Sequence, residues 1–285
     1  MTLRSAVIAA LILCAAAPMT LAQDKKPPER KALRVCQDQN NLPFSNTKGE
    51  GIENRIADVF GKSLGLPVTY YSFPQRLAFI RNTLRYKLPG EDYPCDIVMS
   101  VPVGFDQVSA TKAYYRSTYA LVFAKGKGLD DVKSSADFLA LGKDKLSKLR
   151  IGIYDRSPAS EWLTKHGLIE SGVPYQIMNA DPEQFPGDII EKDLVAGKLD
   201  VAIVWGPIAG FFAKRIKSPA LAVVPMKSEP GVRFDFQMAM GVRYGEREWK
   251  QQVETLLESK QAEIRAILEE FGVPLVDESF TAQGR

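Results

Sequence analysis

Histidine is almost missing from this chain: His166 is the only one in 285 residues. It stands between Lys165 and Gly167 at the end of a helical pattern, where it reads as a partner of the helix dipole with no nucleophile beside it. That excludes Ser-His-Asp and Cys-His catalysis. No HExxH, GxSxG or GxxxxGK[ST] segment occurs either. Asp and Glu number 34 together, yet none form a spaced pair suited to a glycosidase or a metal site. The reading is of a protein that is not an enzyme and needs no metal or cofactor. Cysteine is scarce, three in all, without haem or zinc spacing. Long apolar runs are confined to the N-terminus, so no membrane insertion of the mature chain is expected. Neither sign of charge dominates: the net charge is +3, which argues against nucleic acid or a strongly anionic surface as partner.

The N-terminus has the pattern of an export signal. Arg4 is the basic region, residues 6–17 are apolar, and Thr20-Leu21-Ala22 supplies small residues for cleavage. Leu13, not a small residue, precedes Cys14, so no lipid anchor is expected. Residues 1–22 are thus read as a signal peptide and 23–32 (QDKKPPERKA) as a polar tether, which places the product in a periplasm. Removing the signal deletes Arg4 and no acid, so +3 becomes +2. Two cysteines remain, Cys36 and Cys95. An even count in an oxidising compartment points to a disulfide. Against it, the two lie on separate strands, and parallel neighbours can hold them too far apart to bridge. Both readings stay open at this point.

Strand and helix patterns alternate along the mature chain, which implies α/β layers. Strands are expected at 33–36, 68–72, 95–101, 119–124, 151–154, 175–178, 200–204, 221–225 and 234–243. Helices are expected at 51–64, from Pro74 through PQRLAFIRNTLR, at 157–166 and 186–196, and over 246–271 as one long or broken element. The order strand-helix-strand-helix-strand occurs twice, with a terminal helix too late to belong to the second set. An interrupted arrangement accounts for this: lobe one from 33–123 and 234–285, lobe two from 124–233, and two hinge crossings between them.

The segments LRVCQDQNNLPF, CDIVMSVPVGFDQV, AYYRSTYALVF, RIGIYDRSPASEWL and GKLDVAIVW resemble, in order and over nearly the whole mature chain, the type II periplasmic solute-binding proteins. Within that fold, LPFSN, FPQR, IRNTL and YYRSTY are similar to the binding-protein-like accessory proteins of methanol dehydrogenase clusters, the MxaJ/XoxJ group. The resemblance implies a two-lobed fold and a partner: a quinoprotein methanol dehydrogenase of the lanthanide type, with its c-type cytochrome as a second candidate. Amino-acid binders of the fold carry an Arg after the strand matching CDIVMSV and an Asp after the strand matching DVAIV. Here Gly104 and Trp205 stand in those regions. A zwitterion would lie desolvated without its partners, at a cost of several kcal/mol, so an amino acid is an unsuitable ligand. The alternative is a transporter-type binding protein for another small solute.

The remaining candidates for the cleft or a partner surface are Asp38, Asn40 and Phe44 on the first loop, Arg76 and Arg81 on the second helix, Arg116 after a tyrosine pair, and Ser157 at a helix start. Each has a plainer reading. Asp38 and Asn40 suit ordinary turn chemistry, the arginines suit surface ion pairs, Ser157 suits helix capping, and Trp205 suits core packing.

Overall fold

The structure is a computed structural model that describes residues 30–75, 78–176, 181 and 183–282. The signal peptide, most of the tether and Arg76 lie outside the described residues. The first half of the chain runs β1 (Leu33–Gln37), a small hairpin of β2 (Asn40–Asn41) and β3 (Ser45–Asn46), α1 (Ile52–Leu64), β4 (Val68–Ser72), α2 (Phe79–Asn82), β5 (Ile97–Pro102), β6 (Ser109–Ala110) and β7 (Tyr115–Ala124). Then come α3 (Ser135–Leu139), α4 (Lys143–Leu146), β8 (Ile151–Tyr154), α5 (Pro158–Lys165), β9 (Gly172–Tyr175), a π-helical turn over Ile189–Leu194, β10 (Val201–Trp205), α6 (Gly206–Arg215) and β11 (Leu221–Pro225). The chain closes with β12 (Asp235–Val242), α7 (Arg247–Ser259) and α8 (Gln261–Glu270).

These strands make two sheets that share one strand. In the first, the order is β4-β1-β5-β12-β7, with β1 parallel to β4 and β5, and β12 antiparallel to β5 and β7. In the second, β10 is parallel to β8, β8 is parallel to β9, and β7 is antiparallel to β10 and β11. β7 changes partners within itself: Tyr115–Thr118 face β12, and Tyr119–Ala124 face β10 or β11. The return crossing runs beside it, where the Met226 amide donates to the Tyr119 carbonyl and the Tyr119 amide to the Phe234 carbonyl. The fold is therefore α/β and two-lobed with two crossings, and both sheets are covered on both faces. That explains the near-continuous apolar strands IVMSV and VAIVW.

Each lobe has its own core. Leu33, Val35, Phe60 and Ile97 pack with α7 and α8 residues such as Val253 and Ile264 in the first. Phe123, Phe138, Ile151 and Trp162 pack on one face of the second, and Ile190, Val204 and Phe212 on the other. Helix α1 shows why the sequence was readable here: Ile52, Ile56 and Phe60 recur at spacing four on its buried side, and Gly65 ends it in the left-handed region at φ +66°.

Several expected elements differ. The helix from Pro74 is only the four-residue α2, because Ala78 adopts φ +49° immediately before it. β7 starts at Tyr115 and not at 119, held by its pairing to β12. β9 ends at Tyr175, before most of the expected 175–178 strand, whose residues 177 and 178 lie outside the described residues. The expected 186–196 helix is the π-helical turn, and 246–271 is broken at Lys260 into α7 and α8. Helix α6 is a further element, discussed below.

Cys36 and Cys95 are joined, with Cα atoms 5.2 Å apart, so β1 and the approach to β5 are close enough to bridge. The tether ends against the body: Arg30 pairs with Asp96 at 2.8 Å and with Glu246 at 3.2 Å, and its guanidinium lies 4.1 Å from the centre of the Trp249 ring.

Candidate functional site

The strand ends of the second lobe converge on a cavity of about 220 Å³. Tyr154 and Tyr175 are the last residues of β8 and β9, Trp205 is the last of β10, and Tyr119 faces it from β7. Phe185 and Asp188 close one side, just before the π-helical turn. The carboxyl ends of parallel strands are where an open α/β sheet leaves room for a ligand. π-helical turns also cluster at functional sites.

The cavity wall is aromatic by construction. Trp205 is half-buried and meets Tyr119 at 5.6 Å and Phe236 at 5.9 Å between ring centres. Tyr154 and Tyr175 meet edge to face at 6.1 Å. Their hydroxyls point their donors into the framework, Tyr154 to the Pro186 carbonyl at 2.9 Å and Tyr175 to Asp193 at 2.6 Å. Burial pushes the Tyr119 hydroxyl up to about 12. Burial, with Asp193 adding, also raises that of Tyr175. Both rings are therefore neutral at ordinary pH. Sequence reasoning found Trp205 and missed the other members. The available signal was that three strands in a row end in an aromatic residue.

The first loop, by contrast, is spent on its own structure. Asp38 is buried, and its carboxylate accepts from the Asn40 amide at 3.0 Å and the Gln75 amide at 2.8 Å. Its carbonyl accepts from the Ser45 hydroxyl. Asn40 lies half-buried in β2 opposite Asn46. Phe44, with Leu42, packs against the second lobe's cluster of Ile190, Val204 and Phe212. This loop thus touches the opposite lobe with apolar side chains. Behind it, Glu53 is buried at the start of α1 beside Ser100. Burial raises its carboxyl to about 7, with Ser100 opposing and the Asp38 charge adding.

The other expected site residues are scattered. Arg116 donates to Asp235 at 2.8 Å and to Thr281 at 2.6 Å, tying β7 to the C-terminal segment. Burial alone would raise the Asp235 carboxyl, but Ser228, Thr281 and Arg116 together hold it below its usual range. Arg81 is exposed on α2. Gly104 is exposed in the turn after β5 at φ +85°, a conformation that favours glycine. Ser157 occupies the N-cap position of α5 but makes no capping bond there: its hydroxyl donates to the Tyr154 carbonyl at 2.6 Å. His166 ends α5 and lies 2.8 Å from Glu229. Among the described residues, no group of three or more His, Cys, Asp or Glu could hold a metal ion, and no helix is long and apolar enough to cross a membrane.

No established family pattern matches the chain. It is 28% identical over 260 residues to the protein MoxJ of Paracoccus denitrificans, covering 87% of this chain and 90% of that one. Among solved structures, the periplasmic binding protein XoxJ of Methylobacterium extorquens AM1 is 36% identical, with a TM-score of 0.69 over 87% of this chain and 100% of that chain. MxaJ of Methlophaga aminisulfidivorans is 24% identical, with a TM-score of 0.71 over 86% and 100%, a likeness of fold. With the XoxJ identity holding along that protein's full length, this chain belongs to the MxaJ/XoxJ group of type II periplasmic-binding-protein-like proteins.

Proposed function

We propose that this protein is a periplasmic accessory of a quinoprotein methanol dehydrogenase of the lanthanide type, and that it acts by binding the dehydrogenase during maturation or activation, without catalysis of its own. Export through residues 1–22, a tether at 23–32, lobe one at 33–123 and 234–285, and lobe two at 124–233 complete the reading. The observation that carries it is the aromatic Trp205 in the cavity wall, with Gly104 exposed in the turn after β5, outside that lining. Gly104 and Trp205 stand in the regions where an amino-acid binder carries Arg and Asp, and Trp205 belongs to an aromatic wall. Leu42 and Phe44 already bridge the lobes with apolar contacts. A surface of this kind suits a protein partner better than a zwitterionic nutrient. The test is capture from periplasm with the mature chain as bait. Enrichment of a quinoprotein dehydrogenase, with or without its c-type cytochrome, is the expected result. Recovery no higher than with bare resin would overturn the reading.

The cavity itself favours a second reading, a transporter-type binding protein for a small solute other than an amino acid. Thermal melting against a solute panel that includes the quinone cofactor separates the two. A true ligand at a hundredfold excess over its dissociation constant adds about 2.7 kcal/mol.

A further inference from the structure

We propose that the aromatic cavity at the ends of β8, β9 and β10 is a receptor for an organic cation, an alkylammonium or guanidinium group. Its wall is formed by Tyr119, Tyr154, Tyr175, Phe185 and Trp205, with Asp188 the one formally charged residue among those lining it. Among the described residues that line it there is no Lys or Arg. Aromatic faces carry negative partial charge and attract cations within about 6 Å of the ring centre. A carboxylate in the same wall adds to that field. An anion would meet Asp188 with no cation in the wall itself, since Lys192, the partner of its other oxygen, is not among the lining residues, and a zwitterion would leave its carboxylate ungripped.

A second, independent observation is an unsatisfied oxygen. Asp188 Oδ1 is buried and has no hydrogen-bond partner among the described residues, the one buried side-chain N or O atom found in that condition. The other oxygen accepts from Lys192 at 3.0 Å, and the Lys192 side chain is 61% exposed. Buried acceptors left without donors are rare and call for an explanation. With less than 1 Å² of exposed surface, Oδ1 meets an N–H donor on a bound cation once the carboxylate turns toward the cavity that Asp188 lines. The volume of about 220 Å³ is below the ~300–1,000 Å³ of sites that enclose whole drug-sized ligands. It fits a headgroup or a single side chain.

The assignment stands on the cavity alone; the dehydrogenase reading decides only whether the cation is a free solute or a side chain of the partner. The test follows the indole N–H of Trp205 by NMR in the ¹⁵N-labelled mature protein, assigned by its loss in Trp205→Phe. Ethylguanidinium and tetramethylammonium chlorides are titrated against sodium acetate and tert-butanol, the latter a neutral group of similar shape. Saturable shifts are expected with both cations, and binding of tert-butanol at least about tenfold weaker. Asp188→Asn should weaken ethylguanidinium about tenfold. Lys192→Gln, at an exposed position, should tighten it by removing the resident counter-charge. The proposal is overturned by the absence of saturation, by equal binding of tert-butanol, or by Lys192→Gln and Asp188→Asn both leaving the affinity unchanged. A further arm repeats the dehydrogenase capture with the cavity saturated by tetramethylammonium. Lost capture assigns the cation to the partner's side chain, and retained capture assigns it to a free solute; either supports the receptor. Failure to capture dehydrogenase without any cation present would remove the partner reading and leave the titration result standing.

Discussion

Asp96, just before β5, has no exposed side-chain surface, and three guanidinium groups converge on it: Arg30 at 2.8 Å, Arg34 at 2.7 Å and Arg243 at 2.6 Å. Burial by itself would raise its carboxyl, but Arg34 and Arg243, with Arg30 behind them, hold it below the usual range. The carboxylate draws together the tether, β1 and the segment after β12. Asp96→Asn would leave the cations without their common anion. The expected loss is about 3 kcal/mol, measured by urea unfolding at neutral pH. Because the folded pKa is depressed, this stability is present above the ordinary carboxylate range and is lost as pH falls through the lower folded value. Glu53 behaves in the opposite sense. Its folded value near 7 exceeds the ordinary 4.5, so between these pH values the folded state binds more protons and stability declines as pH rises. Glu53→Gln should be more stable than the parent by on the order of 3 kcal/mol at pH 8.5. At pH 4.5 the difference should vanish; equal pH profiles for the two proteins would refute the assignment.

Helix α6 shows where element-scale reading failed and why. Gly206, Pro207 and Gly210 are breaker residues on paper, yet Pro207 sits in the first turn, where its missing amide costs nothing. The glycines are there for contact. A methyl group on Gly210 would stand 1.8 Å from the Gly272 carbonyl oxygen, and one on Gly206 would stand 2.3 Å from that of Thr118. α6 thus lies directly on the backbone of the first lobe's C-terminal segment. Lys214 follows one turn later and donates to the Glu270 carbonyl at 2.6 Å, satisfying the end of α8. Gly210→Ala should lower the melting midpoint and cost about 2 kcal/mol or more, despite the better helix propensity of alanine. An unchanged or raised midpoint would show that the two backbones can separate freely. The opposite failure is α2. Its apolar spacing promised three turns, and the chain delivers four residues, because Ala78 leaves the helical region.

At the scale of the whole molecule, the lobes are joined by more than their crossings. Trp205 and Phe211 each pack against the clusters of both lobes, and Phe211 stacks on Phe271 at 5.6 Å. Leu42 and Phe44 add contacts from the first loop. The lobes should therefore unfold as one cooperative unit, with calorimetric and van't Hoff enthalpies in agreement. Phe211→Ala should cost about 3 kcal/mol and drive those enthalpies apart as the lobes uncouple. Two resolved transitions in the parent protein would contradict this. Much of the architecture was legible because it is local. Alternating apolar runs define strands and helices, and the doubled order followed by a late helix implies a chain that leaves one lobe and returns. The cavity was legible only at Trp205, an aromatic residue ending a buried strand. Its content was not, since Tyr119, Tyr154, Tyr175 and Trp205 are spread over 87 positions of chain (205 − 119 + 1).

The sequence by itself determined the α/β lobes and the crossing pattern, because periodicity and residue type act over a few residues at a time. Only the tertiary structure decided that three aromatic strand ends share one wall with Asp188, that Cys36 reaches Cys95, that Arg116 and Asp38 serve the framework, and that α6 rests on the opposite lobe. Those outcomes depend on strand order and on how closely backbones approach. Both are set by packing between segments far apart in the chain, which no local pattern records.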